Sequence, residues 1–202
     1  MTTIDSITLE VADPAAAEQF YFATFGLANQ VHLLASDTET AGFRGFTLSL
    51  IVAQPSTATS LFDSAVAAGA TVLKPLEKSL WGFGGVVQAP DGAIWKVATS
   101  AKKEKGPETR QIDQVVLLLG ATDVGASKKF YVDRGLEVGK SFGSYVEFAS
   151  PSSAIKLGLY KRKALAKDAG VAEAGSGSHR IVLGGDVANE TDPDGFGWGL
   201  PA

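Results

Sequence analysis

One stretch of this chain occurs twice. IDSITLEVADPAAAEQFYFATFGL, from Ile4 to Leu27, is matched by IDQVVLLLGATDVGASKKFYVDRGL, from Ile112 to Leu136, with the same Ile-Asp start, Phe-Tyr pair and Gly-Leu finish. A second echo lies further on, between QAPDGAIWKVA (Gln88–Ala98) and TDPDGFGWGLP (Thr191–Pro201). A duplicated unit cannot bury its apolar face alone, so the repeat constrains the fold before any single residue does. It predicts two copies of one plan, residues 1–101 and 111–202. The polar segment around Gly106 and Pro107, residues 102–110, is the linker.

Each copy opens with a short β-branched run, Ile7–Val11 and Val115–Leu119, that reads as a strand. A helix follows. In the first copy Asp13 stands at the N-cap, Pro14 at the first helical position, and Gly26 where a left-handed residue ends the helix. In the second, Thr122 or Asp123 caps and Gly135 terminates. The first copy continues with strands near Gln30–Leu34 and Phe46–Ala53, a helix from Ser56 to Ala68, and two strands flanking the Pro90-Asp91-Gly92 turn. The second continues with strands near Tyr145–Phe148, Ile155–Tyr160 and HRIVLGG. Only DVANE precedes Asp192, too little for the second helix of the plan. The nearest helical stretch, KRKALAKDAG, comes earlier, so the second copy is remodelled.

Charge and composition exclude several functions. Eighteen basic against twenty-two acidic residues give a net charge of −4, without the basic face that nucleic acid requires. There is no cysteine, and there are two histidines, so any metal would depend on oxygen donors. No apolar stretch is long enough to span a bilayer, and the N-terminus lacks the features of a secretory signal. These features predict a cytoplasmic protein with neither nucleic acid nor membrane as partner. Hydrolase elbows, P-loops and dinucleotide fingerprints are absent.

The residues IDSITLEVADPAAAEQFY, AAGATVLKP and DPDGFGW, with their internal duplicates, resemble the vicinal oxygen chelate superfamily, which includes glyoxalases, bleomycin-binding resistance proteins and extradiol dioxygenases. The resemblance spans nearly the whole chain. It implies an α+β fold of two tandem βαβββ modules, with curved mixed sheets facing each other around a pocket. In metal-using members it also implies a His on the first strand of each module and a Glu after the final turn. Here those positions hold Ser6, Gln114, Lys96 and Gly199. Serine and glutamine are feeble neutral donors, glycine has no side chain and lysine repels a cation, so neither a metal nor another cofactor is expected.

The remaining candidates are organic in character. Alternation places Ser6, Thr8 and Glu10 on one face of the first strand, and Gln114, Val116 and Leu118 on one face of its counterpart. In SLWGFGG, Trp81 and Phe83 stand among glycines and read either as a ligand-stacking loop or as a bulge closing the core. Phe46, in AGFRGF beside Arg44, carries the same two readings. His179-Arg180 could face an anion or lie in solvent, and KRKALAK reads as a solvated helix face rather than an anion site. GSGS at 175–178 reads as a flexible connector.

The expected function is metal-independent binding of a small, partly aromatic molecule between the two modules, stacked on Trp81, Phe83 and Phe46 and oriented by Ser6, Gln114 and Lys96. The alternative is a family enzyme, a lyase, isomerase or dioxygenase-like protein, using Glu10, His32 or Lys96 for proton transfer or a displaced metal site. Monomer and homodimer are both compatible with a chain that already contains two copies.

Overall fold

The computed structural model describes residues 3–27, 29–80, 82–149, 151–185 and 190–199. The first half of the chain forms β1 (Ile4–Val11), α1 (Pro14–Phe25), β2 (Val31–Ala35), β3 (Thr40–Gly42), β4 (Phe46–Ile51), α2 (Pro55–Ala67), β5 (Thr71–Ser79), β6 (Gly82–Gln88) and β7 (Ile94–Thr99). The second half forms β8 (Gln114–Ala121), α3 (Val124–Asp133), β9 (Glu137–Phe142), β10 (Tyr145–Ala149), β11 (Ile155–Lys161), α4 (Arg162–Ala169), β12 (Gly175–Gly177), β13 (Ile181–Gly185), β14 (Glu190–Thr191) and β15 (Gly197–Gly199).

Local sequence accounts for the helix ends. Asp13 Oδ1 accepts from the Ala16 amide at 3.0 Å, Pro14 begins α1, and Gly26 closes it at φ +67°. Asp123 caps α3 through the amides of Gly125 and Ala126. α2 has no side-chain bond from its own N-cap, Gln54. Glu104 supplies one from the linker, accepting from the Ser56 amide at 3.0 Å, while the buried Gln54 side chain binds the backbone of Lys105, Gly106 and Pro107. The polar linker is thus folded onto the helix it follows.

Two mixed sheets result. The larger has eight strands in the order β5-β6-β7-β4-β8-β11-β10-β9, the smaller five in the order β14-β15-β13-β1-β2. β4 and β8 pair antiparallel, from Phe46 opposite Leu119 to Ile51 opposite Gln114. Each has a parallel partner on its other side, β7 beside β4 and β11 beside β8. The eight-stranded sheet is therefore two like halves, β4-α2-β5-β6-β7 and β8-α3-β9-β10-β11. The sheets are not divided at the linker, since each draws strands from both copies of the repeat.

Several elements escaped the sequence reading for physical reasons. β5 and β9 are edge strands of mostly exposed residues, so neither carries the apolar alternation that marks a strand. Pro75 also interrupts β5, where the register with β6 shifts between Lys74 and Glu77. The 175–178 segment, expected as a free connector, instead pairs antiparallel as β12 with β3.

Both sheets share one continuous core. It takes Ile7, Leu9 and Val11 from β1, Leu183 from β13, Leu48 and Leu50 from β4, Leu117 and Leu119 from β8, and the inner faces of α1 and α2. Each such side chain contributes roughly 1.5–3 kcal/mol by leaving water. The space joining the two sheets is thus filled with side chains, and the accessible cleft lies elsewhere.

A buried polar clamp occurs twice at the edges of this core. Tyr21 of α1 donates to Asp91 Oδ2 at 2.6 Å and receives the Trp95 indole N–H at 3.3 Å. Tyr131 of α3 donates to Asp192 Oδ2 at 2.7 Å and receives Trp198 at 3.4 Å. The first ties a helix following a strand of the small sheet to a turn of the large one, and the second does the converse. Burial is the main cause that pushes both phenols well above their ordinary range, with the neighbouring carboxylate next.

Tyr21→Phe and Tyr131→Phe should each lower stability by about 1–3 kcal/mol at neutral pH, measured by urea unfolding. A phenol whose folded pKa is raised gives stability that is complete below its unfolded value and is lost as pH climbs. Wild-type stability should therefore fall above pH ~10, and each variant should show a shallower fall there.

Candidate functional site

Strand alternation gives the large sheet two faces of different character. Phe46, Leu48 and Leu50 of β4 and Trp95 and Val97 of β7 turn to the main core, so Thr47, Ser49, Lys96 and Ala98 occupy the opposite face. That face is partly covered by α4. Leu165, Ala166 and Ala169, none more than 3% exposed, pack there with Phe43, Val86 and Ile94 in a second apolar cluster bordered by Leu118 and Tyr160. The apolar spacing Leu165/Ala169 within KRKALAKDAG is the signal for this, masked by four basic residues in the same run.

Beside α4 the face opens into a cleft of about 420 Å³ over β5, β6 and β7. Its floor is small: Gly82, Gly84 and Ala98. These glycines follow from strand proximity, because a Cβ on Gly84 would stand 2.5 Å from the Val97 carbonyl oxygen, and Gly82, at φ +137°, faces the Thr99 carbonyl in the same way. Polar groups ring the floor. Lys96 Nζ meets Asp168 Oδ2 of α4 at 2.9 Å, and Lys74 Nζ donates to the Lys167 carbonyl at 3.0 Å. Glu77, Ser79, Thr99 and Ser100 complete the rim. Asp168, Lys74 and Glu77 were not found from sequence, since each reaches the cleft only through tertiary packing.

The residues proposed from sequence are dispersed. Lys96 lies in the cleft, and Phe83 lines it while also packing against the main core. Gln114 shares the large sheet but sits at the start of β8 in a separate depression with Phe25, Gln30 and Arg110. Ser6 belongs to the small sheet, opposite Gly184, which in turn faces Gly199. It is 3% exposed, and among the described residues its Oγ has no hydrogen-bond partner. The four ligand positions thus separate into two pairs in two sheets, and neither pair contains a carboxylate or an imidazole.

Glu10 and His32 are half-buried on β1 and β2 of the small sheet, remote in the fold from Lys96, so the three proton-transfer candidates do not form one site. Phe46 is a correction. At 2% exposure it is part of the main core and presents no ring to a ligand, because its place in the β4 alternation points it away from the cleft. Trp81 lies outside the described residues. Among the described residues no three His, Asp or Glu side chains gather as a metal-binding group, and no helix is long and apolar enough to cross a membrane.

Tyr145 belongs to the β9–β11 half of the sheet. Burial, followed by the charge of Glu147 and the hydrogen bond to it at 3.1 Å, pushes its phenol up to about 12.

No family model and no curated protein matches this sequence. Solved structures do. A glyoxalase I mutant from Zea mays is similar over 98% of this chain and 91% of its own, with a TM-score of 0.61 at 13% identity. Glyoxalase I from the same plant matches over 93% of this chain and 75% of its own, at TM-score 0.60 and 13% identity. A Bacillus subtilis protein provisionally described as a dioxygenase matches over 93% of this chain and 70% of its own, at 0.54 and 13%. The chain has the vicinal oxygen chelate fold, an α+β arrangement of glyoxalase-like tandem modules. At this identity the likeness defines fold and leaves chemistry to the side chains.

The Lys96–Asp168 pair is 37% and 44% exposed, so solvent screens it. Lys96→Met should cost less than about 1 kcal/mol, whereas Leu165→Ala should cost about 2–5 kcal/mol through the cavity it leaves. Chemical denaturation of the two variants compares them directly.

Proposed function

We propose that this protein binds a small, partly aromatic organic molecule without a metal, in the cleft beside α4. The observation that carries this reading is the cleft itself. Its roughly 420 Å³ volume lies within the range of small-molecule sites, and it joins a small-residue floor to a few polar groups at the rim. Lys96 and Lys74 on one side with Glu77 on the other give orientation, and Phe83 lies at the boundary between the cleft lining and the core.

The donor set does not fit a divalent cation. An ion placed at Lys96 would meet an ammonium already paired with Asp168, and Asp168 would have to leave that partner to coordinate it. At the other positions Ser6 and Gln114 offer weak neutral oxygens, and Gly199 offers no side chain. Acid–base catalysis by Lys96 ranks second, because its ammonium is occupied by Asp168 and Glu10 and His32 stand in the other sheet.

Calorimetry against a broad panel of aromatic natural products should find a ligand. Ala98→Phe, which fills the cleft floor, should abolish its binding while leaving the melting temperature within a few degrees. Metal analysis of the purified protein should give substoichiometric nickel, zinc, iron and manganese. A tightly held stoichiometric cation, or no binder across the panel, would overturn the proposal.

A further inference from the structure

A second pocket, of about 230 Å³, lies where the 43–45 loop, the end of β8, the 175–179 segment and the N-terminus of α4 meet. Three basic side chains from three separate segments stand in its wall: Arg44, Arg162 and His179. Gly45 makes room for two of them. A Cβ there would collide with Arg162 Nη1 and stand 3.3 Å from the His179 ring, and the residue itself lies at φ +86°.

These groups are held by neutral acceptors. Arg162 Nη2 donates to the Phe43 carbonyl at 2.6 Å, and Arg44 Nη2 to the Asp91 carbonyl at 2.5 Å. The His179 ring stacks on Phe196, with Nδ1 2.5 Å from the Arg44 carbonyl oxygen and Nε2 3.0 Å from that of Asp194. The neutral imidazole can donate to one of these acceptors and the imidazolium to both. Next to them Arg180 donates to the carbonyls of Ser36 and Thr38, from a backbone at φ +53°.

Among the described residues none of Arg44, Arg162 and Arg180 has a carboxylate within ion-pair distance. Of the two nearby acids Asp194 itself lines the pocket, and both are engaged otherwise. Asp194 accepts from the Thr122 amide at 2.7 Å and the Ser127 hydroxyl at 2.6 Å, and Asp91 from Tyr21 and the Ala93 amide. Burial lowers the Arg44 pKa, Asp91 opposes this, and Arg180 adds to it by a smaller amount. Half-buried guanidinium groups offer a fork geometry suited to multiply charged oxygen ligands.

We infer that this pocket binds a tetrahedral oxyanion, either free phosphate or the phosphoryl group of a small phosphorylated compound, with Arg162 and Arg44 as its charged donors. Two guanidinium groups from different segments, each with several N–H donors, match a dianion with several oxygens better than a planar, singly charged carboxylate. The site is separate from the cleft beside α4 and stands or falls independently of it.

The chain's two histidines provide the readout. Inorganic phosphate, titrated at constant pH and ionic strength against chloride, should shift the His179 imidazole NMR signal saturably and leave that of His32 in place. His32→Gln assigns the two signals. Arg162→Gln should weaken binding about tenfold or more, while Lys129→Gln, on the exposed face of α3, should not. A sugar phosphate binding more tightly than inorganic phosphate identifies a phosphorylated compound as the source, and equal affinity identifies free phosphate. Neither signal moving, both moving together, or unchanged affinity in Arg162→Gln overturns the assignment. Should that variant fail to fold, the wild-type titration still decides.

Discussion

The antiparallel pairing of β4 with β8 determines where everything else must go. Six consecutive positions of β4, Phe46 through Ile51, are matched to six of β8 across the linker. Each strand's remaining edge is taken by a parallel partner from its own half, β7 or β11. With those edges used, β1 and β13 pair with each other and form the centre of a second sheet. Units adjacent in sequence therefore separate into different sheets. What rejoins them is the single core and the linker, whose Arg110 donates to the Thr24 carbonyl at the end of α1 and to Ser64 of α2.

The duplicated Tyr–Asp–Trp clamp shows how a repeat keeps a physical role while changing the residue that performs it. Sequence aligns Asp91 with Asp194, since each lies between Pro and Gly and four residues before a Trp. Yet Tyr131 binds Asp192. Asp192 Oδ1 also accepts from the Asp194 and Phe196 amides at 2.9 Å, and this organises the turn from within. Asp194 is thereby released to cap the start of α3 through Thr122 and Ser127. Burial, only partly offset by those hydrogen bonds, raises the Asp192 pKa. The second turn is thus less favourable electrostatically than its plain geometry suggests.

α4 decides the character of the large sheet's open face. Its apolar side covers the middle of that face with Leu165, Ala166 and Ala169, and its polar end brings Asp168 to Lys96. The same helix begins with Arg162, turned toward the second pocket. One eight-residue helix accordingly shapes the walls of both concavities, which explains why a basic run that looks like a solvated surface touches two candidate sites.

By itself the sequence determined the duplication, the caps of α1 and α3, the strand alternation of β1 and β8, and the donor-poor positions at Ser6, Lys96, Gln114 and Gly199. The caps and the alternation depend on neighbours a few residues away, the duplication on comparing one half of the chain with the other, and the four donor-poor positions on the resemblance. Tertiary structure alone decided which strands share a sheet, because pairing partners such as Phe46 and Leu119 are distant in the chain and many registers satisfy the same pattern. It also decided that Phe46 faces the core, that Asp168 reaches Lys96, and that Arg44, Arg162 and His179 meet. Long-range packing sets side-chain company, and periodicity reports only which residues share a face.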